Sequence, residues 1–577
     1  MFKTNIDKIK KIIKIFIKVK IMHLYEALAD AFIAEDVKQV FGLLGDGNMH
    51  WSSAMSDKGV DFFYSRHEHC AVSMAMGYAR AKDKIGVATV TCGPGLTQTM
   101  TALTTAARAK IPLVIFVGES PLKANWYNQE LEQAPFVNAC GVEYYSIRHP
   151  KKLFHTVREV FFKAQTKQIP IVLGVPFDLQ ESEYLENGKP LPSSSLNWDL
   201  QRLGPDPKYL HNALEIIKNA KKPIIIGGLG AIKSKAKESI IKLADKMGAL
   251  LATTLPARGL FKDHDFSLNV AGGFSSDISR ECFRQSDLII AVGTSLASHA
   301  ADAGKLYPNT KVMHIDLDPK PINHGRVASH YWVQGDALTT INQILESINN
   351  DEQYKKISTN PDWRNDKLKD AINNLPEDKE QFEEKEGYLD PRTFIKELDS
   401  VLPKDLFMVN SSGHCSYFSA HMKGRSHENF LTIREFGAIG NGLSYSIGAA
   451  IAHKDKQIVL IDGDGGFIMH VQELESAIRH KLKILFIVMN DEAYGSEIHK
   501  LRVDNISEKG AVFGPSSLSL IAKGFGLESK KITKVSELKE AYNEFTKSST
   551  SVLWDVLISD KVLSPAMRRL VSSKKNT

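Results

Sequence analysis

Two short apolar runs in the last third of the chain restrict its fold more than any other feature. Residues 458–461 run into Gly463-Asp464-Gly465, and residues 484–488 run into Met489-Asn490-Asp491-Glu492-Ala493-Tyr494-Gly495. The stretch between them has room for one helix, so the pair reads as two parallel strands joined by a crossover. Both tips then lie on the carboxyl edge of one sheet, where open α/β sheets bind ligands. Asp464 and Asp491 would face each other across a small gap, with glycines admitting a close-lying phosphate. Two hard oxygen ligands beside tight glycine turns suit a magnesium ion that bridges protein and diphosphate. A Gly-Asp-Gly triplet alone is also a common turn; the second acid gives this one its weight.

The same alternation of apolar runs and helical stretches fills most of the 577 residues, which signals parallel α/β architecture. Strands are expected at 39–44, 62–65, 86–91, 113–118 and 171–175. A Pro/Ser-rich linker at 189–207 follows. A second block has strands at 223–227, 250–254, 288–292 and 312–316. A charged linker covers 349–388, and a third block has strands at 406–409, 457–461, 484–489 and 552–558. The expected organisation is a leader (1–21) and three doubly wound domains at 22–188, 208–348 and 389–577.

A content of 43% hydrophobic and 24% charged residues is that of a globular protein with a sizeable core. The net charge of +6 comes entirely from residues 1–20, which hold seven lysines and Asp7. The rest is neutral overall, so charge favours neither nucleic acid nor membrane as a partner. The leader fits a basic surface helix, a targeting peptide or an upstream in-frame stretch before a start at Met22; the last is favoured, because the first domain's pattern begins there. Five cysteines with no CxxC spacing argue against a disulfide framework or a zinc site, and a cytoplasmic setting is expected.

In the first block Glu68 stands where a strand gives way to a small-residue helix, RHEHCAVSMAMGYAR (66–80). An acid there can simply favour the helix dipole. Taken with Gly93-Pro94-Gly95, with Gln129-Glu130-Leu131-Glu132-Gln133, and with GDG followed by NDEAYG, it resembles the thiamine-diphosphate-dependent enzymes. The nearest likeness is to the acetolactate synthase group, whose relatives include 2-oxo acid decarboxylases, benzaldehyde lyase and oxalyl-CoA decarboxylase. The likeness covers residues 22 to 560, in the order pyrimidine domain, central domain, diphosphate domain.

The resemblance implies a role for each motif. Glu68 would hydrogen-bond the cofactor's aminopyrimidine and favour the tautomer that acts as base, aided by burial. Ile439, in Phe436-Gly437-Ala438-Ile439-Gly440-Asn441-Gly442, matches the wedge that bends the cofactor, although plain core packing would also explain it. Asp464, Asp491 and the Ala493 carbonyl would hold magnesium, with Gly465 and Gly466 near the phosphates and Gly413, His414, Tyr494 and Gly495 flanking the diphosphate. Asp491 stands where the family usually has asparagine.

Asp46, in Gly45-Asp46-Gly47-Asn48, and Glu119 stand where acetolactate synthases have glycine and glutamine. The decarboxylase branch shares an acid at the first position. Asp46 would relay protons or form an Asx turn, and Gln133 matches a glutamine near the cofactor. FAD is possible in the central domain but unsupported, because Gly227-Gly228-Leu229-Gly230 lacks a third glycine. Arg568, Arg569, Lys574 and Lys575 form a basic C-terminus, expected as a solvated tail and alternatively a CoA-phosphate contact. The family implies decarboxylation of a 2-oxo acid followed by protonation or by joining to a second carbonyl. It also implies a homodimer or homotetramer in which Glu68 and Asp464 meet across a subunit interface.

Overall fold

A computed structural model describes residues 22–574 except 187, 197–200, 319–328, 356–359 and 375–377. The leader and Lys575 lie outside the described residues, as does the side chain of Lys574.

Three six-stranded parallel sheets carry the fold. The first contains β1 (Gln39–Gly42), β2 (Asp61–Tyr64), β3 (Gly86–Val90), β4 (Leu113–Glu119), β5 (Glu143–Ser146) and β6 (Pro170–Pro176), in the order β2-β1-β3-β4-β6-β5. The second contains β7 (Pro223–Gly227), β8 (Leu250–Thr253), β9 (Ser267–Val270), β10 (Leu288–Val292), β11 (Lys311–Asp316) and β12 (Tyr331–Gln334), in the order β12-β11-β10-β7-β8-β9. The third contains β13 (Phe407–Asn410), β14 (Phe430–Leu431), β15 (Ile458–Gly463), β16 (Ile484–Asn490), β17 (Glu528–Ile532) and β18 (Val552–Leu557), in the order β14-β13-β15-β16-β18-β17. The first and third sheets therefore share one topology, with switch points between β1 and β3 and between β13 and β15.

Every expected strand is present. The five not expected (β5, β9, β12, β14 and β17) all lie at sheet edges. Central strands such as β4 and β16 are buried along their whole length, as near-continuous apolar runs require. In both end sheets the helix after the second strand is packed with small residues. Gly442–Ala452 is buried at all eleven positions, and Glu68–Lys82 is buried from His69 to Ala79. Small side chains let such helices approach a sheet closely on every side.

The chain separates into two compact units, 1–198 and 199–577, so the second and third sheets belong to one body. The Phe274 and Tyr417 rings stack at 4.8 Å, and Arg258 donates to the Met422 carbonyl. The stretch expected as a charged linker is in part anchored. Trp363 is buried in the core of the second sheet with Ile372, and its indole N–H donates to the Pro223 carbonyl at 3.0 Å. One tryptophan outweighs a charged neighbourhood because its burial contributes several times what a surface ion pair does. Among the described residues, Arg568 and Arg569 are not part of a solvated tail. Arg568 pairs with Asp378 at 2.7 Å and Arg569 with Asp277 at 3.1 Å, so neither guanidinium is left for CoA phosphates.

Candidate active site

The loops at the carboxyl ends of β13, β15 and β16 enclose a cleft beside the switch point of the third sheet. Gly413, His414, Ile439, Asp464, Gly465, Gly466, Asp491, Ala493, Tyr494 and Gly495 all line it. Asp464 directly follows β15 and Asp491 directly follows β16, strands paired in register from Ile458↔Ile484 to Gly463↔Met489. Asp464 Oδ2 accepts from the Glu492 N–H at 2.9 Å. The two carboxyl groups also lie close enough to act on each other, and burial raises the pKa of both; for Asp491 the charge of Asp464 adds to the effect. Two like charges this close hold a proton between them unless a cation replaces it.

Asn490 is committed elsewhere. Its Nδ2 donates to Asp555 Oδ1 at 2.8 Å and to the Ser516 carbonyl at 3.2 Å. Asp491 is thus the side chain that meets Asp464, and it does so because Gly495 leaves room: a Cβ at residue 495 would stand 2.2 Å from Asp491 Oδ2. His414 is buried and kept neutral, chiefly by that burial and further by His499 and Lys500. Its Nε2 has no hydrogen-bond partner. Among the described residues no group of three metal-ligating side chains occurs. The cleft instead offers two carboxylates, with the Ala493 backbone beside them. This all-oxygen set suits a hard divalent cation completed by oxygens of a bound diphosphate, and the unpartnered His414 nitrogen suits the same anion. Sequence reading missed Ser412, Cys415, Met489, Glu497 and Ile558, which also line the cleft. Of these only Glu497 had a signal, an acid four residues beyond Ala493.

In the first unit Glu68 opens its helix, capped by His67, whose Nδ1 accepts from the His69 N–H at 3.1 Å. Glu68 is half-buried within its own chain. The turn after β3 runs beside it, so that a Cβ at Gly95 would stand 3.7 Å from Glu68 Oε1. Asp46 is exposed, and Asn48, not Asp46, closes the turn after β1: its Oδ1 accepts from the Gly45 N–H at 2.8 Å and its Nδ2 donates to Thr89 Oγ1 at 3.0 Å. The Asp46 charge is felt at Tyr127, whose hydroxyl is pushed up to about 12 by burial first, then by Cys92 and Asp46.

Glu119 and Gln133 are buried together at the end of β4. Gln133 Oε1 accepts from the Gly93 N–H at 3.1 Å, and Nε2 donates to the Gly118 carbonyl at 3.0 Å and to the Tyr144 hydroxyl at 2.9 Å. Both amide hydrogens are spent, so Gln133 is a bracket between loops and has no N–H left for a substrate. In the second sheet the Gly228 and Gly230 N–H groups already donate to the Val292 and Gly293 carbonyls at 2.9 and 2.8 Å. That turn offers neither group to a dinucleotide phosphate.

Three family descriptions match in succession: the thiamine pyrophosphate enzyme N-terminal TPP binding domain over residues 22–136, its central domain over 210–344 and its C-terminal TPP binding domain over 411–556. Similar proteins include a probable acetolactate synthase large subunit of Methanococcus aeolicus, 27% identical over 92% of this chain and 91% of its own. The acetolactate synthase isozyme 2 large subunit of Escherichia coli is 26% identical over 92% and 94%. The mitochondrial acetolactate synthase catalytic subunit of Saccharomyces cerevisiae is 27% identical over 92% and 79%. With both TPP-binding domains matched, and with three sheets in the corresponding order, the chain belongs to the thiamine pyrophosphate enzyme family.

Proposed function

We propose that the protein is a thiamine-diphosphate- and magnesium-dependent enzyme that decarboxylates a 2-oxo acid and joins the remaining fragment to a second carbonyl compound, as an acetolactate synthase does. The observation that carries this reading is the buried Asp464–Asp491 pair, which places a cation-sized demand for positive charge beside the Ala493 backbone. Asp464, Asp491 and Ala493 would hold the metal, His414 and the glycine turns would hold the diphosphate, and Ile439 would support the rings. Glu68 would hold a proton shared with the pyrimidine nitrogen. The cofactor would supply a carbon nucleophile and a sink for the electron pair left behind when carbon dioxide departs. Since Glu68 is only half-buried in its own chain, the rest of its enclosure would come from a second copy, in a homodimer or homotetramer.

A second reading is simple decarboxylation, or carbon–carbon cleavage, without carboligation. Asp46 and Glu119 favour it, because acids near the reacting carbon can protonate the fragment before an acceptor captures it. Incubation of the holoenzyme with a panel of 2-oxo acids, with and without acceptor aldehydes, followed by mass spectrometry, decides between the two. Hydroxyketones support carboligation and aldehydes alone support decarboxylation. No release of carbon dioxide from any acid would leave a cofactor-binding protein without turnover.

A further inference from the structure

The edge strand β5 contributes one side chain to the interior of the site region. The Tyr144 hydroxyl donates to Glu119 Oε1 at 2.7 Å and accepts from Gln133 Nε2 at 2.9 Å. Burial, with the Glu119 charge behind it, keeps this phenol protonated and a donor. Gln133 carries the connection onward to the Gly93 N–H, and the Gly93-Pro94-Gly95 turn runs beside Glu68. Gly174 on β6 makes the arrangement possible: a Cβ there would stand 2.1 Å from the Tyr144 oxygen and 2.4 Å from Glu119 Oε1. The far Glu119 oxygen accepts no hydrogen bond and faces Arg148 Nε at 3.6 Å.

We propose that Tyr144 is a positioning residue for cofactor activation: it locks Gln133 in the one orientation that holds the Gly93–Gly95 turn against Glu68, and so sets where the Glu68 carboxyl can sit. This rests on the reading of Glu68 as the group that grips the pyrimidine. Without the phenol, one Gln133 hydrogen and one Glu119 oxygen lose their partner, and a buried amide with a free hydrogen reorients to find another. A turn displaced by a fraction of an ångström then misplaces Glu68, and errors of about 1 Å at a reacting group can cost roughly 100-fold in rate.

The test is hydrogen–deuterium exchange at the thiazolium C2 of thiamine diphosphate, read by acid quench and NMR at saturating cofactor and magnesium. It needs no knowledge of the substrate. Wild type, Tyr144→Phe and Gly174→Ala are compared, with cofactor affinity and melting temperature measured alongside. The expected result is exchange about 10- to 100-fold slower in both variants at full cofactor occupancy, with affinity changed by less than about threefold. Wild-type acceleration that survives unchanged in both variants overturns the role of Tyr144 and leaves that of Glu68 standing. Exchange in wild type no faster than in free cofactor overturns the Glu68 reading and this inference with it. If Tyr144→Phe does not fold, Gly174→Ala decides, since it crowds the same two oxygens while keeping both side chains.

Discussion

The Asp464 and Asp491 carboxyl groups are buried facing each other at the carboxyl ends of neighbouring strands β15 and β16, with Gly495 admitting the second of them. Without a cation this contact stores unfavourable charge in the native state. That follows from burial, and it has consequences for stability as well as for ligand binding.

The first concerns pH in metal-free protein. Both carboxyls have native pKa values above the unfolded 3.8. The native state therefore holds more protons, and the pair's contribution is favourable at low pH and is lost as pH rises through the raised values. In EDTA at pH 8, Asp491→Asn should be more stable than wild type by about 1–3 kcal/mol, and the advantage should shrink toward pH 4. Urea denaturation at several pH values measures this. A variant less stable than wild type at pH 8 would contradict it.

His499 gives the opposite slope. Burial first, then Arg502, lowers its pKa from 6.5 to about 4, and neither ring nitrogen has a hydrogen-bond partner. Below pH 6.5 the unfolded chain takes up a proton that the native state refuses, so stability falls as pH drops from 6.5 toward 4. His499→Gln should reduce that acid-induced loss by about 1–3 kcal/mol. Denaturation midpoints at pH 4.5 and pH 7 in wild type and variant check it; an identical loss in both would assign the acid sensitivity elsewhere.

Gly495→Ala tests the cleft by steric means alone. The added methyl would overlap Asp491 Oδ2 and drive the carboxylate away from Asp464. Affinity for Mn2+, read by electron paramagnetic resonance in the presence of thiamine diphosphate, should fall at least about 10-fold, with circular dichroism unchanged. Undiminished affinity would remove Asp491 from the metal site.

The proposed subunit interface yields a complementation result. Chains carrying Glu68→Gln and chains carrying Asp464→Asn should each be inactive. Refolded together in equal amounts they should regain about a quarter of wild-type activity, because half of the dimers are mixed and each of these rebuilds one of two sites. No recovery in demonstrably mixed dimers would place both residues of a site on one chain.

Much of this was legible because central parallel strands are continuous apolar runs, and the residues at their ends are fixed by topology. That is how Asp464 and Asp491 could be read before any coordinates, whereas Glu68, just beyond the edge strand β2, was read from the family resemblance. Edge strands lack such runs. Glu143–Ser146 and Glu528–Ile532 are polar, half exposed and short, and they pair through backbone groups that composition does not reveal. Tyr144 was invisible for that reason, and with it the bonding that turns Gln133 from a candidate contact into a bracket. The anchored stretch around Trp363 escaped notice because its charge pattern outweighed a single indole. In the first loop, the turn-closing side chain proved to be Asn48, two residues beyond Asp46 in the same motif.

Calorimetric titration of thiamine diphosphate into the metal-free chain, with Mg2+ and with EDTA, in wild type and Asp464→Ala, tests the cation cleft most directly. The expected result is one cofactor bound per chain with Mg2+ in wild type, and binding lost both in EDTA and in the variant. Equal affinity under all of these conditions would contradict a metal held by Asp464 and Asp491.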